Sequence, residues 1–233
     1  MCGEENFDGG FVCKKCEQNL PYNDKIVCEH CGRKTEIREE YCVTCKENMV
    51  SVDKARSVFS YEGTIRKLIT IFKYDNARYL AEYFGDKMTL LYLKNCFNAD
   101  GLIYVPMEEK AERKRGYNQS RLLAERISSK TEVPIFECLE KTKKTLRQAR
   151  LNRKDRLKNL EGAFKVKKRK ILKDKTVVII DDVTTTGATA EVIAKALKKS
   201  GAKLVYLLTV ASTPAFNIAN KNKQRDRRKN GTI

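Results

Sequence analysis

The sequence contains no tryptophan and a single histidine, His30, which sits between cysteines. A Ser–His–Asp or Cys–His device would have to be built on that one residue, so nucleophilic catalysis of this kind is not expected. Long apolar stretches are also missing. The longest runs from Leu204 to Ala211, well short of the roughly 20 residues that cross a bilayer as a helix. Met1 to Gly10 is acidic and glycine-rich with no apolar segment, so no secretory leader is expected there.

What is present is enough apolar material for a core. Of 233 residues, 41 % are hydrophobic and 33 % charged, which suits one large domain or a domain with a small module. The formal net charge is +18, and it is unevenly placed. Residues 1–57 carry net −2 and residues 58–109 net −1, whereas residues 110–175 carry +15 and residues 176–233 carry +6. The excess lies in the middle of the chain and in a basic tail over 216–233, richest from Lys221 to Lys229. Clustered positive charge points to an anionic partner: nucleic acid, a phosphorylated small molecule or an anionic surface.

Six of the nine cysteines form three C-x2-C pairs, Cys13/Cys16, Cys28/Cys31 and Cys42/Cys45, with 11 and then 10 residues between successive pairs. Two intervening residues let both thiolates of a pair face one metal from a tight turn, and two such knuckles complete a tetrahedral zinc site. Without a leader, a reducing compartment is expected, which disfavours a disulfide framework. The complete set is expected to be Cys28, Cys31, Cys42 and Cys45, with Gly32 after the first knuckle where a positive φ is commonly needed. Cys13 and Cys16 are further candidate ligands that would need additional partners, and Cys2 has none at the right spacing. Cys96 and Cys138 read as ordinary buried thiols.

Periodicity predicts a short strand over 58–61, helices over 64–73, 80–93 and 120–128, and a buried strand from Leu102 to Val105 stopped by Pro106. Val177 to Ile180 reads as a central parallel strand, Ala190 to Lys199 as an amphipathic helix, and Leu204 to Val210 as another buried strand. Together the last three make a βαβ unit. Residues 1–50 read as loops and knuckles too small to hold a core without metal.

Between strand and helix runs Asp181-Asp182-Val183-Thr184-Thr185-Thr186-Gly187-Ala188-Thr189. This is where open α/β sheets bind ligands. Gly187 allows close approach of a phosphate, the threonines supply hydroxyls, and the helix N-terminus supplies N–H groups and a favourable dipole. No lysine follows in the G-x-x-x-x-G-K-[ST] pattern, so a P-loop triphosphatase is disfavoured. The adjacent carboxylates suit two neighbouring hydroxyls of a sugar whose phosphate lies in the loop.

This segment resembles the 5-phosphoribosyl 1-pyrophosphate motif of type I phosphoribosyltransferases. The resemblance implies that Asp181 and Asp182 hold ribose hydroxyls, that Thr184 to Thr189 hold the 5′-phosphate, and that magnesium arrives with the pyrophosphate. Other stretches resemble the ComF family of late-competence proteins: Tyr61 to Ile69 followed by Phe72-Lys73-Tyr74; Val105-Pro106, then Arg115-Gly116-Tyr117-Asn118-Gln119 and Leu122-Leu123-Ala124; and Thr145, Gln148, Leu151, Arg156, Asn159 and Gly162-Ala163-Phe164. With the cysteine pairs the resemblance covers residues 13–212. It departs from the family at Ala111, where a basic residue is usual, and in lacking an earlier cysteine pair, of which only Cys2 remains.

The resemblance implies a zinc module over 1–55 and a phosphoribosyltransferase-like domain over 56–215, an α/β fold with a parallel sheet flanked by helices. It also implies a cytoplasmic protein, at the inner face of the membrane with the uptake machinery, that handles single-stranded DNA during natural transformation. A competence helicase and DNA-processing proteins are the implied partners. Arg115, with Lys73 and Asn118, is expected at the pyrophosphate, and Tyr117, Phe136 and Phe164 are weighed as stacking faces for bases against core positions, the reading that is preferred for each. Two alternatives stand beside this: phosphoribosyl transfer to an amine or base, and a ligand sensor without chemistry.

Overall fold

The computed structural model describes residues 12–48, 51–142, 160 and 162–215. Its centre is a parallel sheet of four strands: β1 (Lys54–Ser60), β2 (Gly101–Tyr104), β5 (Thr176–Thr184) and β6 (Leu204–Ser212), in the order β1–β6–β5–β2. The expected parallel α/β architecture is therefore present. Val177, Val178, Ile179 and Ile180 are all fully buried, as a strand covered on both faces requires. Side-chain alternation divides them between two cores. Val178 and Ile180 pack with α3 (Gly63–Tyr74), α4 (Leu80–Lys94) and α6 (Gln119–Thr131). Val177 and Ile179 pack with α7 (Ala188–Lys199) and with an antiparallel ribbon of β3 (Leu139–Lys141) and β4 (Phe164–Val166).

Three of the helices packed on the sheet bury a stripe: Ile65, Ile69 and Phe72 in α3, Leu80, Phe84 and Met88 in α4, Leu123, Ala124 and Ile127 in α6. A buried large apolar side chain contributes roughly 1.5–3 kcal/mol, against helix propensities of under about 1 kcal/mol per residue. The stripe therefore decides where each helix lies.

Two strands differ from expectation. The strand expected over 58–61 starts at Lys54, because pairing with β6 (Lys54 to Tyr206, Ala55 to Leu207) extends it beyond its apolar part. The boundary expected between 55 and 56 thus falls inside β1. Likewise β5 does not stop at Ile180. It stays paired with β6 through Asp181 and Val183 to Thr184, so the acidic pair belongs to the strand and not to the loop.

Both sheet edges are covered, which removes unpaired ladder groups from solvent. Along β1, Ser60 N donates to Pro21 O and Asn23 N to Val58 O, and the Asn23 amide bonds the Phe59 carbonyl at 2.8 Å. Along β2, Leu102 N donates to Pro134 O and Phe136 N to Leu102 O. The N-terminal part adds α1 (Lys14–Gln18) and α2 (Val43–Asn48). Glu17 of α1 accepts from the Tyr22 and Tyr83 hydroxyls and pairs with Lys87, tying α1 to α4. Among the described residues no helix is long and apolar enough to cross a membrane. Thr145, Gln148, Leu151, Arg156, Asn159 and the tail over 216–233 lie outside the described residues.

Candidate functional site

The last turn of β5 holds the two carboxylates at the carboxyl edge of the sheet. Asp182 pairs with Lys73 of α3, Nζ to Oδ2 2.9 Å, with only 10 % of the Asp182 side chain and 25 % of Lys73 exposed. Burial acts to lower the Lys73 ammonium, but the charges of Asp182 and Asp181 outweigh it and hold the group above the ordinary lysine value. Asp181 accepts at Oδ1 from the Ser120 hydroxyl and from Asp182 N, each at 2.9 Å. Burial and then the Asp182 charge push the Asp181 carboxyl up to about 7, against the opposing pull of Lys73 and the Ser120 hydroxyl. One carboxylate is thus paired with a cation, while burial holds its neighbour's carboxyl well above the usual carboxylate range.

The chain then turns into α7. Gly187 takes φ +86° as the N-cap residue, a conformation that a side chain would strain. Its carbonyl accepts from Glu191 N, and the Thr186 hydroxyl accepts from Ala188 N at 3.4 Å. Asp181 and Thr184 to Thr189 line one open concavity. The structure brings these together as the sequence predicts, with one difference: Thr184 is buried, and its hydroxyl accepts from Arg33 below the loop at 3.1 Å. The arrangement offers acceptors for hydroxyl donors at one end and a helix N-terminus for an anion at the other.

Arg115, Asn118 and Lys73 meet at a joint between three helices. α5 (Glu109–Arg115) ends at Gly116, and Asn118 caps α6 by accepting from Arg121 N at 3.3 Å. The Asn118 amide donates to Val105 O, 3.1 Å, so this residue is committed internally and not presented to a ligand. Tyr117 donates to the Phe72 carbonyl, 2.5 Å, and Gln119 to the same carbonyl, 3.3 Å, holding the end of α3 that carries Lys73. Arg115 donates to Gln119 Oε1 at 2.5 Å and lies over the Tyr74 ring at 5.1 Å. The two motif stretches at 72–74 and 115–119 therefore act as one mechanical unit.

The four sulfurs of Cys28, Cys31, Cys42 and Cys45 lie within 4.8 Å of one another, all buried. Three separations are 3.8 Å (Cys28–Cys45), 3.6 Å (Cys31–Cys42) and 3.7 Å (Cys42–Cys45). The edge of a tetrahedron with bonds of about 2.3 Å is about 3.8 Å, whereas a disulfide needs about 2.05 Å. Left as thiols, the set cannot ionise together. Hydrogen bonds from the other three lower the Cys28 thiol, and the neighbouring sulfurs raise Cys31 and Cys45. A divalent cation such as zinc fits this donor set. His30 sits beside it, Nδ1 3.3 Å from Cys45 Sγ and Nε2 2.8 Å from Val52 O. Cys13 caps α1 and Cys16 lies within it, and neither belongs to the four-sulfur group.

Several expectations change. Cys96 is exposed, at φ +48° after α4, while Cys138 is buried and its thiol pushed up to about 11 by that burial. Tyr117, Phe136 and Phe164 are all buried in the two cores and present no face to a base. Among the described residues the exposed aromatics are Tyr41, Tyr74 and Tyr79. Sequence reasoning also misses Ser120 and Arg33. A serine opening a helix and an arginine after a cysteine knuckle carry no local signal, since both act on residues brought near by the fold.

Residues 118–231 match the family of the phosphoribosyl transferase domain. Competence protein F of Haemophilus influenzae is 30% identical over 209 residues, covering 85% of this chain and 88% of that protein. DNA utilization protein YhgH of Escherichia coli (strain K12) is 26% identical over 209 residues, covering 87% and 90%. Competence protein ComFC of Bacillus subtilis is 24% identical over 197 residues, covering 82% and 79%. Among solved structures, a purine phosphoribosyltransferase from Pyrococcus horikoshii aligns at TM-score 0.37 and 22% identity, over 57% of this chain and 75% of that one.

Proposed function

This chain belongs to the ComF family of competence proteins, and on that premise we propose that it supports DNA uptake in natural transformation by handling single-stranded DNA, and that its sheet-end site binds 5-phosphoribosyl 1-pyrophosphate. The observation that carries the ligand reading is the run of Asp181 and Asp182 into the Thr184–Thr189 turn at the end of a central strand. Two adjacent acceptors suit vicinal ribose hydroxyls, and the turn at the start of α7 suits the 5′-phosphate. Lys73 pairs with Asp182, and Arg115 is assigned to the pyrophosphate. Carboxylate oxygens at Asp181 and Asp182 suit a hard cation, so magnesium would be held there by ligand oxygens, water and these carboxylates, and would stabilise charge on the pyrophosphate. Cys28, Cys31, Cys42 and Cys45 hold one structural zinc. In this reading the zinc module ends where β1 begins, the phosphoribosyltransferase-like domain runs from β1 to residue 215, and the protein works in the cytoplasm.

The test is calorimetric titration of magnesium 5-phosphoribosyl 1-pyrophosphate into the zinc-loaded protein and into the Asp181→Asn/Asp182→Asn variant. Heat in the parent that vanishes in the variant is expected. Absence of heat in both sinks the ligand reading. Single-stranded DNA handling rests on the +15 charge over 110–175, with the exposed Tyr74 and Tyr79 as stacking faces. Anisotropy of a labelled oligonucleotide should show affinity falling steeply with salt, with a slope set by the phosphates neutralised. Binding that ignores salt would count against it.

A second reading is phosphoribosyl transfer to an amine or base. It is favoured by Asp181, whose carboxyl at about 7 lies where a proton acceptor works best at neutral pH. Acceptor-dependent release of pyrophosphate would support transfer. Binding without release would leave a ligand sensor.

A further inference from the structure

Among the described residues Arg33 is the largest side chain with no solvent exposure. It follows the first knuckle of the cysteine cluster, yet its guanidinium reaches the far end of β5. Nη1 donates to the carbonyls of Thr184 (3.3 Å), Thr185 (2.6 Å) and Thr213 (2.8 Å), and Nη2 to the Thr184 hydroxyl (3.1 Å). Thr213 N in turn donates to Thr184 O, 3.0 Å. Among the described residues no carboxylate pairs with Arg33, and its buried Nε has no partner. A buried guanidinium without a counter-ion is costly. The compensating charge at hand is the tetrathiolate centre, whose Cys31 stands two residues before Arg33 and which would carry net −2 with a divalent ion bound.

The knuckle fixes where Arg33 starts. Gly32 N donates to Cys28 O at 2.8 Å and Cys28 N to Arg33 O at 2.9 Å. Gly32, at φ +64°, lets this turn lie against β1, where a Cβ would meet Ala55 O and Arg56 at 3.1 Å. At the other end, peptide planarity fixes the consequence. In a trans peptide the C=O and the following N–H point to opposite sides. Holding the carbonyls of Thr184 and Thr185 toward Arg33 therefore turns the N–H groups of Thr185 and Thr186 away from it, in a turn whose residues line the concavity.

The geometry points to Arg33 as a positioning residue that couples the cysteine centre to the phosphate turn: a filled metal site presets the turn's amides, and an anion bound at the turn tightens the metal. The coupling is reciprocal by linkage. Its ligand arm rests on the phosphoribosyl reading above.

The experiment compares the full-length parent with Arg33→Met and Arg33→Lys, each zinc-loaded and zinc-stripped. Hydrogen exchange is read in peptides spanning 181–191 and 212–215, with 80–94 of α4 as the internal reference. Expected in Arg33→Met, and in the stripped parent, is exchange at the turn at least tenfold faster with α4 unchanged, while loaded Arg33→Met keeps one zinc per chain. Arg33→Lys, which keeps the charge but not the fork, should fall between. Magnesium 5-phosphoribosyl 1-pyrophosphate should bind roughly 30-fold more weakly to Arg33→Met, and should slow zinc loss to a chromogenic chelator in the parent but not in that variant. Turn exchange that ignores both changes overturns the coupling. So does loss of the whole fold in both variants, which would make Arg33 structural only. Turn exchange that responds in a parent that binds no phosphoribosyl ligand upholds the coupling and sinks the ligand reading instead.

Discussion

The cysteine centre and the sheet-end site differ in how their polar groups are engaged. The four sulfurs come from the short span between Cys28 and Cys45 and face chiefly one another. At the sheet end, Asp182 faces Lys73, Asp181 faces Ser120, the Thr184 hydroxyl faces Arg33, and the Thr186 hydroxyl accepts from Ala188 N. A metal held by four thiolates would complete its own site, so such ligands need no substitute partner. A site whose ligand comes and goes must be satisfied in both states, because a buried polar or charged group left alone costs several kcal/mol. The second site therefore recruits partners from distant parts of the chain, and these set its charge.

The largest effect that would break this contrast is loss of the metal. Zinc contributes about 10–16 kcal/mol to the folding of small zinc modules. Cys28→Ser/Cys31→Ser is thus expected to cost several kcal/mol and to lower the thermal midpoint well below that of the loaded parent. An unchanged midpoint, with metal analysis reading zero in both, would mean that the sulfurs are not a structural centre.

Next comes the ion pair. Asp182→Ala strands the Lys73 ammonium in a site where only 25 % of its side chain is exposed. About 2–4 kcal/mol should be lost, read from the urea midpoint. Lys73→Met/Asp182→Ala should recover most of it, because no buried charge is then left unpaired. A double variant as unstable as the single one would show that the pair matters for packing and not for charge.

The smallest and most diagnostic change is Asp181→Asn. The folded carboxyl titrates at about 7, above its ordinary value of 3.8. For an acid shifted upward the folded state binds more protons, so its cost is absent below the unfolded value, grows between the two, and is fully present above about pH 7. Asp181→Asn should therefore be more stable than the parent by about 1–3 kcal/mol at pH 8, with the advantage vanishing toward pH 4. Equal stability at both pH values would remove Asp181 as a group strained for ligand. The variant should still lose the phosphoribosyl compound, since an amide does not accept two hydroxyl donors as a carboxylate does.

The helices α3, α4 and α6 were legible in the sequence because each needs only a stripe recurring at 3.6 residues. The core of β5 was legible because continuous burial leaves an unbroken apolar run. Where elements end was less so: β1 begins at Lys54 and β5 continues through Asp181 and Asp182 because β6 lies alongside, and a partner strand leaves no mark on local periodicity. The aromatics of the basic stretch show the same limit, since charge along the chain does not report burial. Tyr117 and Phe164 stand among basic residues in the chain but in the cores of the fold.

By itself the sequence determined the four-cysteine set, the acid–threonine–glycine turn, and the class of sheet that carries it, since each is written within a few tens of residues. Only the tertiary structure decided which carboxylate pairs with Lys73, where Asn118 directs its amide, and what lies beneath the turn. Those depend on contacts such as Lys73 with Asp182 or Arg33 with Thr184 and Thr185. Electrostatic and hydrogen-bond energies follow distance in space, and separation along the chain does not report it.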